Sequence, residues 1–200
     1  MATTLTANRV LADSLSKGLA REIALITSGV LFIALSAQVA LPLPFSPVPL
    51  TLQTLAVLAV GAAFGTARGV LTTLLYLAAA IAGAPVLAPL TDGSHATGSA
   101  VFGLPTFGYI VGFALASALV GKLAERGLTR TPLRMAAVMI LGNIVIYSVG
   151  VPTLAHNTGA DLATAVGWGL TPFMAGDVVK VLAAAGLFPA AWRLVERFTR

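Results

Sequence analysis

The sequence predicts an all-α integral membrane protein with six transmembrane helices and both termini in the cytoplasm. Of its 200 residues, 58% are hydrophobic and 10% are charged, and the mean hydropathy is +0.94. Soluble domains carry about 25% charged residues, so this composition excludes a soluble globule. Its many large apolar residues also exclude a disordered chain. Since a spanning helix needs about 20 residues, the chain has room for about six spans in a single membrane domain, residues 1–200.

Three spans are predicted in the first half of the chain. A polar segment, residues 1–22, precedes an apolar run at 23–41, which is longer than the core of about 7–15 residues in a signal peptide. Residues 42–49 carry four prolines and no charge, so we expect them to be extended rather than helical. The second and third spans follow at 50–64 and 70–87.

Three further spans are predicted in the second half, at residues 106–120, 134–154 and 171–192, followed by a basic tail at 193–200. A long loop rich in glycine and polar residues, 89–105, precedes the fourth span. A second loop, which carries His156 and Asp161, separates the fifth span from the sixth. The pair Thr171-Pro172 is a typical helix start, because threonine favours the N-cap and proline the first helical position. The six-helix membrane domain therefore covers residues 23–192.

The basic residues support this topology. Eleven of the twelve fall on one side, in the N-terminal segment, in the connections between spans two and three and between spans four and five, and in the C-terminal tail. The opposite side carries only Asp92 and Asp161 as charged residues. Because basic residues concentrate in cytoplasmic loops, both termini are predicted to be cytoplasmic. The net charge of +5 is therefore attributed to topology and not to nucleic-acid binding.

The twelfth basic residue, Lys180, lies inside the sixth span, three residues after Asp177. At this spacing both side chains share one helical face. Each would cost about 2.5–3.5 kcal/mol if it faced lipid, so we expect both to point into the protein. Two interpretations remain open: an intrahelical ion pair that fixes packing, or a ligand site in which Lys180 pairs with a substrate anion and Asp177 accepts hydrogen bonds from the substrate.

Other polar side chains within the spans are candidate ligand contacts: Gln53, Tyr76, Tyr109, Asn143 and Tyr147. A tyrosine near the outer end of a span, such as Tyr109, is also typical of the interfacial aromatic belt. Asn143 could equally join two helices by a hydrogen bond. The spacing of Gly108 and Gly112 in the fourth span predicts close helix packing within the chain or, alternatively, a face for another subunit.

No enzymatic, metal or cofactor site is expected. The chain has no cysteine, which excludes thiol nucleophiles, cysteine-ligated zinc and iron–sulfur clusters. The spans offer no evident nucleophile–base pair, and the sequence lacks zinc-protease and nucleophile-elbow motifs. It also lacks a phosphate-binding P-loop, so any ATP hydrolysis must come from other proteins.

The segment P-F-S-P-V-P-L-T-L-Q-T-L-A-V, residues 44–57, resembles the most recognisable stretch of the BioY family. Further matching segments follow in the same order: L-Y-L at 75–77, G-A-P-V at 83–86, F-G-Y-I-V-G-F at 107–113, I-Y at 146–147 and G-D-V-V-K at 176–180. The resemblance covers about residues 23–192. Many family members have Pro where this chain has Ala175, which could change the rim of a site.

The resemblance implies a multi-pass substrate-capture (S) subunit for biotin in an energy-coupling factor (ECF) transporter of the bacterial inner membrane. Such subunits work with a transmembrane coupling subunit and a pair of ABC-type ATPases, in agreement with the missing P-loop. A buried lysine can meet the carboxylate of biotin, and a buried aspartate or glutamine can meet its ureido group. Which residue meets which end stays open, with Lys180 on the carboxylate as the charge-matched choice.

Two alternatives remain. A solitary biotin carrier would keep the ligand and work without ATPase partners. A small ion or proton channel would use Asp177 and Lys180 as a relay. In the preferred interpretation, the outer segments 42–50 and 89–105 cover a binding cavity.

Overall fold

The computed structural model describes residues 10–14 and 18–198, so most of the predicted N-terminal segment and the end of the C-terminal tail lie outside the described residues. The described part holds seven α-helices. They are α1 (Leu19–Gln38), α2 (Gln53–Phe64), α3 (Thr66–Ile81), α4 (Phe107–Glu125), α5 (Pro132–Thr158), α6 (Leu162–Gly169) and α7 (Met174–Phe198). Short 3-10 turns occur at Leu11–Ser14, Gly98–Gly103 and Thr171–Phe173.

Several helices have the length and composition of membrane spans. Four described segments qualify, namely α1, α4, α5 and the continuous stretch Leu162–Arg197. Helices α2 and α3 are apolar but have only 12 and 16 residues. Large apolar side chains such as Leu35, Val179 and Leu182 point outward, with about two thirds of their surface exposed. An outward apolar face of this kind suits lipid, and the predicted class of helical membrane protein is confirmed.

The proline-rich segment forms a two-stranded antiparallel hairpin of β1 (Ala40–Leu43) and β2 (Ser46–Thr51). Leu41 pairs with Leu50, and Leu43 pairs with Ser46 across the turn. The predicted extended conformation is therefore correct, whereas the pairing was not predicted. Proline has no N–H donor, so the strands can exchange few hydrogen bonds and the sheet stays short.

The predicted boundaries need correction at several helices. Helix α1 ends at Gln38, three residues before the predicted limit, because the chain turns into the hairpin there. Helix α3 starts at Thr66 and ends at Ile81, so residues 82–87 belong to the following loop and not to a span. The sixth span begins its α-helix at Met174, after a 3-10 turn at Thr171–Phe173.

The prediction of a loop between the fifth and sixth spans is wrong. Helix α5 continues through Pro152 to Thr158, so His156 lies in its last turn and not in a loop. Helix α6 then occupies most of the remaining stretch. Asp161 is its N-cap, since its carboxylate accepts a 2.7 Å hydrogen bond from the backbone N–H of Thr164. That cap followed by an apolar run is a helix-start signal, and the sequence interpretation overlooked it.

Glycines bring the central helix α4 against α5. A Cβ on Gly112 would lie 3.1 Å from the backbone of Ile146, and one on Gly108 would overlap Thr153. The predicted close packing at these glycines is thus confirmed as a contact within the chain. Gly61 makes a similar approach between α2 and α4, where a Cβ would lie 3.1 Å from the backbone of Ser117. These contacts fix α4 in the middle of the bundle, next to the site described below.

Candidate functional site

A cavity of about 390 Å³ lies between the hairpin, the loop that follows α3, and helices α2, α4, α5 and α7. Its buried end is lined by Gln53, Tyr109 and Lys180, each with only 7% of its surface exposed. Its opposite end is lined by exposed residues of the loop, among them Leu90 and Thr91. The cavity therefore has a polar bottom inside the protein and a mouth formed by loops.

The bottom of the cavity is built around a buried ion pair in α7. The Nζ of Lys180 lies 3.2 Å from Oδ1 of Asp177 and donates a 2.8 Å hydrogen bond to the hydroxyl of Thr54. The other carboxylate oxygen of Asp177 accepts a hydrogen bond from the hydroxyl of Tyr147. Lys180 lines the cavity, whereas Asp177 stands behind it. The structure therefore contains the predicted intrahelical ion pair, and Lys180 still faces a cavity that could hold a ligand.

A chain of hydrogen bonds orients the amide of Gln53. The Tyr76 hydroxyl donates its single proton to the carbonyl of Val86 over 3.0 Å, so it can only accept from Gln53. The Gln53 Nε2 accordingly donates to this hydroxyl over 2.7 Å. The Gln53 carbonyl oxygen, Oε1, then receives no hydrogen bond from the described residues. Because Gln53 lines the cavity, this oxygen is an acceptor available to a ligand.

Two tyrosines form one wall next to the ion pair. The rings of Tyr109 and Tyr147 meet edge to face, with centroids 6.2 Å apart and an angle of 89° between the planes. The hydroxyl of Tyr109 donates a 2.9 Å hydrogen bond to the carbonyl of Gly169 at the end of α6. Tyr109 is thus a buried wall residue, and the interfacial-belt alternative is excluded by its position.

A side-chain hydrogen bond joins the hairpin to helix α6. The Ser46 hydroxyl donates a 2.8 Å hydrogen bond to the carbonyl of Trp168 in α6 and accepts a 3.0 Å bond from the N–H of Val48. Apolar side chains complete the walls, among them Val48, Ile110 and Phe113. This arrangement suits a small ligand that is largely apolar and has one compact polar group.

Comparison with known proteins assigns the family. The model of the BioY family matches residues 4–197, nearly the whole chain. The chain belongs to the BioY family. Its relatives include the biotin transporters BioY of Rhizobium etli, 35% identical over 162 residues (78% of this chain and 83% of that protein), and of Rhodobacter capsulatus, 37% identical over 166 residues (76% and 82%). The resemblance read from the sequence is confirmed, and this is a transport family and not an enzyme family.

The fold has a solved counterpart. The crystal structure of the S-component for biotin from an ECF-type ABC transporter superposes with a TM-score of 0.73 and covers 89% of this chain and 95% of its own. The sequence identity is only 23%, so this comparison shows a shared fold and nothing more.

Most of the residues predicted for this BioY-family site meet around the cavity. Four of them line it: Gln53, Tyr109, Tyr147 and Lys180. Asp177 and Tyr76 stand one layer behind and orient these residues by hydrogen bonds.

Asn143 is placed differently. It is buried, with 8% of its surface exposed, and lies one helical turn from Tyr147 on α5. It is not part of the cavity wall that the described residues form. A direct contact between Asn143 and a ligand stays a prediction, and the position of Asn143 outside the cavity wall does not support it.

Sequence reasoning missed three site residues of the BioY-family chain. Thr54, which receives the Lys180 hydrogen bond, lies directly after Gln53, so the polar T-L-Q-T run contained the signal. Trp168 and Gly169 contribute only backbone carbonyls. Their role depends on helix α6, which was not predicted, and a carbonyl contact leaves no side-chain signal in the sequence.

Proposed function

We propose that this chain is the biotin-binding S subunit of an ECF-type transporter in the bacterial inner membrane. The observation that carries the proposal is the pairing of one donor, Lys180, with one acceptor, the Oε1 of Gln53, at the bottom of an apolar cavity. The family relatives named as biotin transporters support the ligand. The cavity volume of about 390 Å³ falls within the range of about 300–1,000 Å³ that is usual for small-ligand sites.

The hydrogen-bonding pattern favours the ureido group of biotin at this end of the cavity. Lys180 has three N–H groups, of which one faces Asp177 and one Thr54, so a third can donate to a ligand oxygen. Gln53 uses one N–H of Nε2 on Tyr76 and leaves its carbonyl oxygen Oε1 as an acceptor. A ureido group presents a carbonyl to Lys180 and N–H groups to the Oε1 of Gln53, whereas a carboxylate presents acceptors alone and leaves that oxygen without a donor.

Charge balance favours the same orientation over a carboxylate on Lys180. Lys180 and Asp177 are buried and neutral as a pair. A ligand carboxylate placed there would add an unpaired negative charge in a medium of low dielectric constant, which is costly. The neutral ureido group adds none. In this proposal the fused rings and the valerate chain then run along Val48, Ile110 and Phe113 towards the mouth.

The proposed roles of the remaining candidates follow from their contacts. Asp177 and Tyr76 position Lys180 and Gln53, and the rings of Tyr109 and Tyr147 cover the bound rings of biotin. Biotin is the transported ligand, and we propose no cofactor.

The proposal includes six spans, with α2 and α3 as the short second and third spans, and both termini in the cytoplasm. The segregation of eleven basic residues to one side supports this topology. A transmembrane coupling subunit and ABC-type ATPases supply the energy for release, since the sequence carries no P-loop of its own.

Biotin binding to the purified protein, measured by calorimetry, tests the ligand and the site. We expect Gln53→Leu and Lys180→Met to weaken binding at least about tenfold, because each leaves part of the ureido group unpaired. Lys122→Met is the matched control, since that lysine is 60% exposed on α4 outside the cavity. Unchanged affinity in both site variants would exclude the assignment.

Uptake of labelled biotin into proteoliposomes tests the coupling. We expect concentrative uptake only when the coupling subunit and the ATPases are present with ATP. Equal uptake by the protein alone would support the solitary carrier instead, and currents without biotin would support the channel.

A further inference from the structure

The two ends of the cavity differ in charge. Within the described residues, the cavity wall carries two charged side chains, Lys180 at the bottom and Asp92 at the mouth. Lys180 is balanced by Asp177 at 3.2 Å. Asp92 lies in the exposed loop after α3, and no described basic side chain forms an ion pair with it. The carboxylate of Asp92 at the mouth is therefore the one charge of the described cavity wall that no opposite charge balances.

Asp92 is held in place and remains ionised. Its Oδ1 accepts hydrogen bonds from the backbone N–H of Ser94 at 2.9 Å and from the Ser94 hydroxyl at 2.7 Å. These two bonds hold the pKa of Asp92 below its ordinary value, so the side chain is anionic at neutral pH. The carboxylate is thus a fixed feature of the mouth.

The tail of the bound ligand ends in this region. The argument rests on the proposed function, in which the ureido group occupies the buried end at Lys180 and Gln53. The valerate chain then points to the mouth, where Thr91 and Asp92 line the cavity. Free biotin ends in a carboxylate, so a negative tail meets a negative mouth, and the described lining offers no second base to offset it.

We infer that Asp92 is a specificity-determining residue that biases the site against an anionic tail and towards biotin derivatives with a neutral or cationic one. Biotinamides and biotin joined by an amide bond to an amine-bearing chain belong to this class. Their amide removes the carboxylate charge, and the exposed loop at the mouth leaves space for a substituent. A cationic substituent gains attraction from Asp92. The ureido contacts are common to all these ligands, so Asp92 alters selectivity among them without deciding whether the biotin ring system binds.

A series of three ligands with different tail charges tests the inference by calorimetry on the purified full chain. The ligands are biotin, biotinamide and the amide of biotin with ethylenediamine, whose tails are anionic, neutral and cationic. We expect Asp92→Asn to tighten biotin binding about two- to fivefold at low salt, to leave biotinamide unchanged and to weaken the cationic amide by a similar factor. Because the mouth is exposed, these differences should shrink at about 0.5 M salt.

Asp161→Asn is the matched control. Asp161 is a second exposed aspartate in a segment predicted to lie on the same side of the membrane, but it is not part of the described cavity wall. Asparagine caps helices as well as aspartate does, so helix α6 keeps its N-cap. We expect this variant to bind all three ligands as the wild type does.

The outcomes separate this inference from the proposed function. If the wild type binds biotin but Asp92→Asn changes all three ligands equally or changes none, the inference is overturned and the biotin site stands. If the wild type binds none of the three ligands, the proposed function fails together with the inference. The same tail-charge effect in Asp161→Asn would show a general surface potential and would overturn the specific role of Asp92.

Discussion

Lys180 and Asp177 form a buried ion pair at 3.2 Å, in which only Lys180 reaches the cavity wall. The two charged side chains therefore have different positions relative to the cavity. In the proposed site, Lys180 presents its remaining N–H group to the ligand, whereas Asp177 offsets the charge of Lys180 and accepts a hydrogen bond from the hydroxyl of Tyr147. In this site, each charge of the pair stabilises the other and Lys180 also contacts the ligand, so a double-variant cycle can separate the effect on folding stability from the effect on binding.

We predict that Asp177→Asn and Lys180→Met each destabilise the protein strongly, by about 3–5 kcal/mol, because each leaves one buried charge without a partner. The double variant removes both charges, so it should regain most of the stability while binding biotin as poorly as Lys180→Met. Thermal unfolding in detergent and calorimetry on the same samples measure the two quantities. A double variant as unstable as the sum of the single variants would contradict the role of the pair.

Tyr76 has no surface in the described cavity wall, yet we predict that its hydroxyl affects binding. Tyr76→Phe removes both the acceptor for Gln53 and the donor to Val86. The Gln53 amide is then free to rotate and present its N–H group to the cavity, where the ligand needs an acceptor. We expect the Kd for biotin to rise about tenfold, which corresponds to the usual cost of about 1–3 kcal/mol for an unsatisfied buried group.

Ser148→Ala is the control for this measurement. The Ser148 hydroxyl is exposed and bonds only to the carbonyl of Val145 in its own helix. It should leave the affinity unchanged. If Tyr76→Phe also binds biotin like the wild type, the hydrogen-bond chain does not set the orientation of Gln53.

The sequence allowed prediction of the site's chemistry better than its geometry. Lys180 and Asp177 stood out because charges are rare inside apolar spans, and their i, i+3 spacing placed them on one face. Nothing in the sequence distinguished the residue that lines the cavity from the one behind it. That distinction depends on how α7 is rotated against α2 and α5, which is a result of tertiary packing.

The fold was predictable where one signal dominated. Apolar runs revealed the long helices, and four prolines revealed the extended segment that became the hairpin. The prediction failed at α6, because the fifth span was ended at residue 154, four residues early, and the Asp161 cap was overlooked.

Gly112 offers a test of the packing that fixes the cavity wall. A Cβ at this position would lie 3.1 Å from the backbone of Ile146, so α4 and α5 must separate in Gly112→Ala. We expect the unfolding temperature to fall, because backbone atoms cannot move aside as a flexible side chain can. Biotin affinity should fall too, since Tyr109 and Tyr147 lie on these two helices.

Gly186→Ala is the matched control for Gly112→Ala. Gly186 lies inside helix α7, and a Cβ there meets nothing within 4 Å. Alanine is favoured over glycine in a helix by about 0.5–1 kcal/mol, so this variant should be as stable as the wild type or slightly more stable. Equal losses in both variants would indicate a general sensitivity of helical glycines and not a specific contact between α4 and α5.

Ser46 fastens the hairpin to α6 through the Trp168 carbonyl, and we predict that this bond controls how long a ligand stays bound. Ser46→Ala removes a neutral hydrogen bond, whose net contribution is about 0.5–1.5 kcal/mol. We therefore expect the dissociation rate of biotin to rise about two- to tenfold in stopped-flow or surface-binding measurements. We expect the association rate to change little. Ser28→Ala is the control, since the Ser28 hydroxyl bonds within α1 to Leu25. A Ser46→Ala variant with unchanged dissociation would show that the hairpin is held by its backbone and apolar contacts without this side chain.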